Sequence, residues 1–284
     1  MHPQPFIKWL GGKRRLLPRV LPRLAPVADE GVRYVEPFVG GGAVFFALRG
    51  LGFEGPALLN DLCAPLVNAY RMVRDEPRAT YQAFRGYADA NDRETYYQAR
   101  GTPPVPYRTP ADDVRGDQAV AWAAWFLYMN RAGFNGLWRE NKSGRLNTPY
   151  GDGKPIKAPS WDVLWAASRV LQGVEIRHGS FEGVEVGPGD VVYADPPYLP
   201  LTRTASFVAY TRAGFGGVDQ LRLAEWCTAG AHVVLSNAGH ADSVACFSGK
   251  ATRTETFEAP RSISCKGDER DPVREYLFTF EATP

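Results

Sequence analysis

The stretch VRYVEPFVGGGAVFFALRG, residues 32–50, decides how the chain is to be read. Val32 to Glu36 has the composition of a short strand, and Pro37 ends it. Gly40, Gly41 and Gly42 follow, and Ala43 to Gly50 then reads as a helix. Glycines in such a strand-to-helix turn let the backbone approach a ligand closely. They also leave the first helix amides pointing at it. Pro56 to Asp61 is the next strand and Ala64 to Arg74 the next helix. Asp61, closing that second strand, can accept both hydroxyls of a ribose. Together these make a nucleoside site. A tight turn beside an incidental acid is the competing reading at this point.

Working outward, the alternation of strand and helix predicts a parallel sheet covered by helices on both faces. The rhythm stops after Arg74. Residues 77–120 are polar and proline-rich in places, Gln118 to Met129 is an apolar helix candidate, and Asn130 to Lys157 is rich in Gly, Asn and Arg. This reads as an inserted, largely helical subdomain. Alternation resumes with a helix at Trp161 to Leu171 and strands at Val174 to His178 and Val191 to Ala194. A helix at Val218 to Thr228 and a strand at His232 to Ser236 follow, then β-type runs at Arg253 to Glu258 and Glu275 to Phe280. The expected division is a core in two parts, residues 1–66 and 158–284, around an insert at 67–157.

With 284 residues, 44% of them hydrophobic, the chain can bury a sizeable core. A net charge of +2 does not announce a nucleic-acid partner. The distribution says more. Residues 1–23 carry Lys8, Lys13, Arg14, Arg15, Arg19 and Arg23 without an acid, and residues 131–157 are also strongly basic. Such patches suit phosphate, although solvated faces would look the same. Cys63, Cys227, Cys246 and Cys265 are far apart, so free thiols in a reducing compartment are expected. There is no apolar signal core and no run of about 18 apolar residues. The expected location is the cytoplasm, without membrane attachment.

Asp195-Pro196-Pro197-Tyr198 follows the buried-type strand 191–194, at the edge where open α/β sheets bind ligands. An exocyclic amine on a nucleobase is a poor nucleophile, because its lone pair is delocalised into the ring. A carboxylate and a rigid backbone carbonyl that accept its two hydrogens can draw the nitrogen toward tetrahedral geometry and stabilise the developing charge. The two prolines stiffen that carbonyl, and Tyr198 offers a ring face to the base.

These motifs, in this order, resemble the Dam family of DNA adenine methyltransferases over nearly the whole chain. Phe6 to Lys13 is similar to that family's opening cofactor element, Glu36 to Gly42 to its methyl-donor loop, and Asp195 to Tyr198 to its catalytic tetrapeptide. Asn130 to Arg139 resembles its target-recognition segment, and the Ser236-Asn237 pair and Arg261 to Ser264 also match. The resemblance implies a Rossmann-like S-adenosylmethionine-dependent methyltransferase core with a helical recognition insert. It also implies transfer of methyl to N6 of an adenine in double-stranded DNA, within GATC or a related short site. No metal is expected, and the enzyme is expected to act as a monomer.

By the same resemblance Trp9 and Lys13 would close over the donor. Glu36, Phe38 and Gly40 to Gly42 would line its methionine part, and Asp61 would hold its ribose. Ser180 and Phe181 would face its adenine, with Asp195 shared between donor and target. Tyr198 would stack on a flipped-out base. Lys8, Arg131, Phe134, Asn135, Leu137, Arg139 and Pro149 would meet DNA. Of these Arg139 would read a guanine edge, Phe134 would wedge beside the vacated base, and Leu137 and Pro149 would touch a thymine methyl. Gly151-Asp152-Gly153 lacks an aromatic that some relatives carry there. Cytosine N4 methylation, RNA methylation and a non-catalytic DNA-binding regulator are the rival readings.

Overall fold

A computed structural model describes residues 2–151, 156, 159–198, 215–238, 240–259 and 273–281. The tetrapeptide is therefore seen in full. Cys265, the Arg261 to Ser264 motif, Asp152, Gly153, Lys154 and Lys157 lie outside the described residues.

In chain order the elements begin with α1 (Leu17–Val20), β1 (Arg33–Glu36), α2 (Ala43–Gly50), β2 (Ala57–Asp61) and α3 (Ala64–Asp75). Next come α4 (Pro77–Asp89), α5 (Arg93–Gly101) and α6 (Gly116–Ala132). Then come α7 (Trp161–Leu171), β3 (Glu175–His178), β4 (Asp190–Ala194), α8 (Gly217–Trp226) and β5 (His232–Ala238). The last elements are α9 (Ala241–Ser248), β6 (Arg253–Ala259) and β7 (Val273–Phe280). The strands form one seven-stranded sheet in the order β3-β2-β1-β4-β5-β7-β6. β1 to β5 run parallel, and β7 is antiparallel to both β5 and β6.

Successive residues of a strand point to opposite faces, and here the two faces feed two cores. Tyr34, Leu59, Val191, Tyr193, Val234 and Leu277 pack with α1, α2, α3, α6 and α7. Val35, Leu58, Val192, Val233, Phe278 and Phe280 pack with α8 and α9. Burial on both faces is why the parallel strands read as near-continuous apolar runs. The order reverses between β1 and β4, where the crevice outside the strand ends binds ligands in open α/β sheets.

α6 is apolar all round, as a helix surrounded by protein must be. Trp122, Trp125, Phe126 and Tyr128 are almost wholly excluded from water. It packs against α3 and α4 in the same core as the first sheet face. α4 and α5 lie in the polar, proline-rich stretch read from sequence as part of a largely helical insert, with no bounds given for either helix. Pro77 opens α4, and the Asp92 side chain caps α5 by accepting from the Thr95 amide at 2.7 Å.

Candidate active site

The glycine turn is built to keep side chains out of the crevice. Gly40 and Gly42 have φ of +46° and +65°, a region that L-residues enter only with strain. A Cβ on Gly40 would stand 2.7 Å from Trp9 Cδ1, so the Trp9 ring lies directly on the turn. The Gly40 amide donates to Asp61 Oδ2 at 3.0 Å, and the Tyr70 hydroxyl donates to the Gly40 carbonyl at 3.1 Å. Asn60 ties the turn down from the other side, donating to the Pro37 and Gly179 carbonyls, each at 3.0 Å.

Two carboxyls flank this turn. Glu36 is 2% exposed and accepts from the Tyr34 hydroxyl at 2.6 Å and from the Phe45 amide at 2.7 Å. It thereby satisfies an orphan donor in the first turn of α2. Burial pushes its carboxyl up to about 8 against those two hydrogen bonds, and the nearby charge of Asp195 adds to the rise. Glu36 thus underpins the loop. Asp61 accepts at Oδ1 from the Cys63 amide at 2.9 Å as well as from Gly40. Each carboxylate oxygen keeps a second lone pair for a ligand hydroxyl. Loss of hydration pushes Asp61 up to about 6, against the pull of the Cys63, Gly40 and Leu62 amides.

Phe38, Phe181 and Phe215 form an aromatic cluster beside the turn, with centroid separations of 5.4, 5.8 and 6.1 Å. Phe181 is buried, whereas Ser180 is exposed and caps the short turn 181–183 by accepting from the Glu182 amide. Phe215 is an addition to the residues singled out from sequence. Leu62, 48% exposed, is another apolar group at this edge, directly after Asp61.

Asp195 lies immediately past β4. Its Oδ1 accepts from Lys13 Nζ at 2.8 Å, from Ser236 Oγ at 2.9 Å and from Tyr198 Oη at 3.2 Å. Among the described residues no donor reaches Oδ2. Lys13 is only 6% exposed, donates also to the Gly11 carbonyl, and sits 4.8 Å above the Tyr198 ring centroid. The Pro197 carbonyl accepts from Gln220 Nε2 at 3.1 Å. On β7, Glu275 is a further carboxyl that senses both Lys13 and Asp195, and desolvation raises it. Its Oε2 is buried without a hydrogen bond among the described residues. Gln220 and Glu275 were not legible as site residues. One is an amide inside a helix and the other an acid in an apolar strand, and neither belongs to a motif.

The segment 6–13 joins three parts of the site. Lys13 meets Asp195 and Trp9 covers the glycine turn. The Lys8 stem lies against Gly136, where a Cβ would come within 2.7 Å of Lys8 Cδ. Asn130, wholly buried, fastens this segment. Its Nδ2 donates to the Lys8 carbonyl at 2.6 Å, and its Oδ1 accepts from the Lys8 amide at 3.0 Å.

Residues 133–150 fold back on themselves, with bridges pairing Gly133 with Tyr150 and Glu140 with Leu146. Phe134 is 45% exposed, and Asn135 beside it has φ +54°. Lys8, Asn135, Lys142, Arg145 and Pro149 are exposed, and Leu137 is half-buried. Arg139 spends two donors on Asn147, Nε to Oδ1 at 2.7 Å and Nη2 to the carbonyl at 3.3 Å. Arg131 is half-buried and donates to the Phe6 carbonyl at 2.5 Å, tying α6 to the N-terminal segment.

A family model described as D12 class N6 adenine-specific DNA methyltransferase matches residues 9–253. The Type II methyltransferase M1.LlaDCHI of Lactococcus lactis subsp. cremoris is 34% identical, over 97% of this chain and 95% of its own. The DNA adenine methylase of Vibrio cholerae is 34% identical over 97% and 95%. The DNA N-6-adenine-methyltransferase of Escherichia phage P1 is 35% identical over 96% of this chain and 35% of its own length. These likenesses run through the glycine turn, the 133–150 hairpin and the tetrapeptide alike, and they remove the rival readings of cytosine, RNA and a non-enzyme. The chain belongs to the D12 class of N6 adenine-specific DNA methyltransferases, enzymes that act on DNA.

Proposed function

We propose that the chain methylates N6 of an adenine turned out of double-stranded DNA, with S-adenosylmethionine as donor. The observation that carries this reading is the Asp195 carboxylate at the end of β4. Its Oδ1 is saturated by Lys13, Ser236 and Tyr198, while among the described residues Oδ2 is left open. The adenine amine would give one hydrogen to Oδ2 and the other to the Pro196 carbonyl, since Gln220 occupies that of Pro197. Two acceptors pull the N6 lone pair out of ring conjugation and stabilise the charge that develops on nitrogen. The proton that N6 must shed would pass to Oδ2. Tyr198, with Lys13 above its ring, would stack on the base.

The crevice fits the donor. A side-chain-free turn at Gly40 to Gly42 leaves room for its amino-acid part, and Asp61 for its ribose hydroxyls. Phe38, Phe181 and Phe215 suit its adenine. Bound there, S-adenosylmethionine supplies a methyl group on a positively charged sulfur, a good leaving group without metal assistance. Asp61→Ala should weaken donor binding about ten- to a hundredfold, the worth of a charged hydrogen bond. In the wild type, donor affinity should fall as pH drops through about 6, where Asp61 takes up a proton. Cys63 and Tyr70 beside it are pushed up by burial and do not titrate in that range. Calorimetry across pH with both proteins tests this, and a pH dependence that persists in Asp61→Ala assigns it elsewhere.

Residues 67–157 form the proposed recognition unit, with Lys8 alongside. Phe134 is the wedge, Arg139 the guanine reader with three donors unspent among the described residues, and Asn135, Leu137 and Pro149 further contacts. Arg131 would act on DNA through the placement of segment 6–13. The proposed target is GATC or a short relative of it. Expression in a host that lacks adenine methylation, followed by single-molecule sequencing, should show N6-methyladenine at an adenine-thymine step. A mapped motif without that step would overturn the site assignment.

A further inference from the structure

Ser236 and Asn237 are successive residues at the carboxyl end of β5, so their side chains leave opposite faces of the sheet. Both are wholly buried, as is Gln220 on α8. On one face Ser236 Oγ donates to Asp195 Oδ1 at 2.9 Å and lies 3.0 Å from Tyr193 Oη. With its proton committed to the carboxylate, Ser236 takes the proton of Tyr193. On the other face the Ala238 amide donates to Asn237 Oδ1 at 2.8 Å, and Asn237 Nδ2 donates to Gln220 Oε1 at 3.0 Å. Gln220 Nε2 then donates to the Pro197 carbonyl at 3.1 Å. Each amide in this chain both gives and takes, and Asn237 and Gln220 are buried from water, so neither can flip without losing bonds.

We propose that Ser236, Asn237 and Gln220 are positioning residues for methyl transfer: β5 grips the turn Asp195 to Tyr198 from both faces and fixes the carboxylate relative to the proline carbonyls. The proposal rests on the reading of that turn as the catalytic element. None of the three touches the base. Their effect runs through two acceptors that must meet two hydrogens of a single amine, where a shift of about 1 Å can cost 10²-fold in rate.

Ser236→Ala, Ser236→Thr, Gln220→Met and the double variant Ser236→Ala with Gln220→Met test the grip. Asp195→Ala is run beside them. The readouts are kcat, KM for DNA, donor affinity by calorimetry and the thermal midpoint. Ser236→Ala and Gln220→Met should each lower kcat about tenfold or more, with KM and donor affinity little changed. Ser236→Thr, which keeps the hydroxyl, should recover most of the rate. Because both act on one turn, the double variant should lose less than the product of the single losses. Normal kcat in either folded single variant overturns the proposal. So does a loss that Ser236→Thr fails to recover, or one that tracks only the fraction of folded protein. Should Gln220→Met not fold, the Ser236 pair alone decides. If Asp195→Ala keeps its activity, the catalytic reading itself fails. If Asp195→Ala is inactive while the others are normal, only the grip fails.

Discussion

Asp195→Ala should lower turnover about 10²–10³-fold or more, the cost of losing one positioned acceptor at a centre of developing charge. The same change strips the Lys13 ammonium of its partner. Lys13 is 6% exposed, and breaking a buried pair by removing one member costs about 3–5 kcal/mol. The Gly11 carbonyl, which also accepts from Lys13, offsets part of that cost. Asp195→Asn separates the two effects. It keeps an oxygen for Lys13 and Ser236 but can neither hold a full negative charge nor take the N6 proton. It should therefore unfold at a higher urea concentration than Asp195→Ala and still lose most of the rate in a labelled-methyl transfer assay. An Asp195→Asn enzyme with near-normal transfer would show that the carboxylate's charge is not used.

Gly42→Ala should destabilise the protein by about 2–5 kcal/mol, a large share of the stability of a single domain. At φ +65° an L-residue carries a backbone penalty of about 1–2 kcal/mol. The new methyl would also lie 2.6 Å from Tyr70 Oη and 3.2 Å from the Phe46 ring. Tyr70 is fully buried and bonded to the Gly40 carbonyl, so it cannot yield without releasing the turn. Overpacking of this kind adds about 1–3 kcal/mol. Gly41→Ala is the control. Its φ is not positive, and its Cβ would meet Trp9 Cβ at 3.1 Å and the Ile7 carbonyl oxygen at 3.9 Å. Urea midpoints that are equal for the two variants would refute the steric account.

Much of this was legible in the residue order. β1, the glycine turn and α2 follow from a strand-glycine-helix pattern that has few other solutions. The strand before Asp195 announces itself by apolar residues that face two cores. The readable parts are those where one local rule suffices. The helices α4 and α5 were hidden because their outer faces are polar and their inner faces are few residues wide. Phe84 and Tyr96 are wholly buried, but Phe84 is followed by Arg85 and Gly86, and Tyr96 stands near Arg93, Glu94 and Arg100. The Asp92 cap and Pro77 were the available signals. In the candidate site, the motifs could be read from sequence, yet the partners of their residues could not be foreseen. That Lys13 would meet Asp195, or that Gln220 would hold Pro197, depends on tertiary approach between segments with no local relation. Arg139 and Arg131 illustrate the converse. Their sequence context points to DNA, and only the fold reveals that both also bond protein carbonyls.

The position of β7 has a consequence for how the enzyme is made. It is the last of the described strands in sequence, yet it lies between β5 and β6 in the sheet. On the ribosome both neighbours emerge before the strand that unites them. At about 5–20 residues per second, the delay between β6 and the end of β7 is on the order of seconds. During that interval the edge of β5 is bare, with Val233, Leu235 and the Ser236-Asn237 pair not yet covered. The 133–150 hairpin is by then long since synthesised. A nascent chain therefore possesses the whole basic hairpin 133–150 before the sheet that carries Asp195 at the end of β4 is finished.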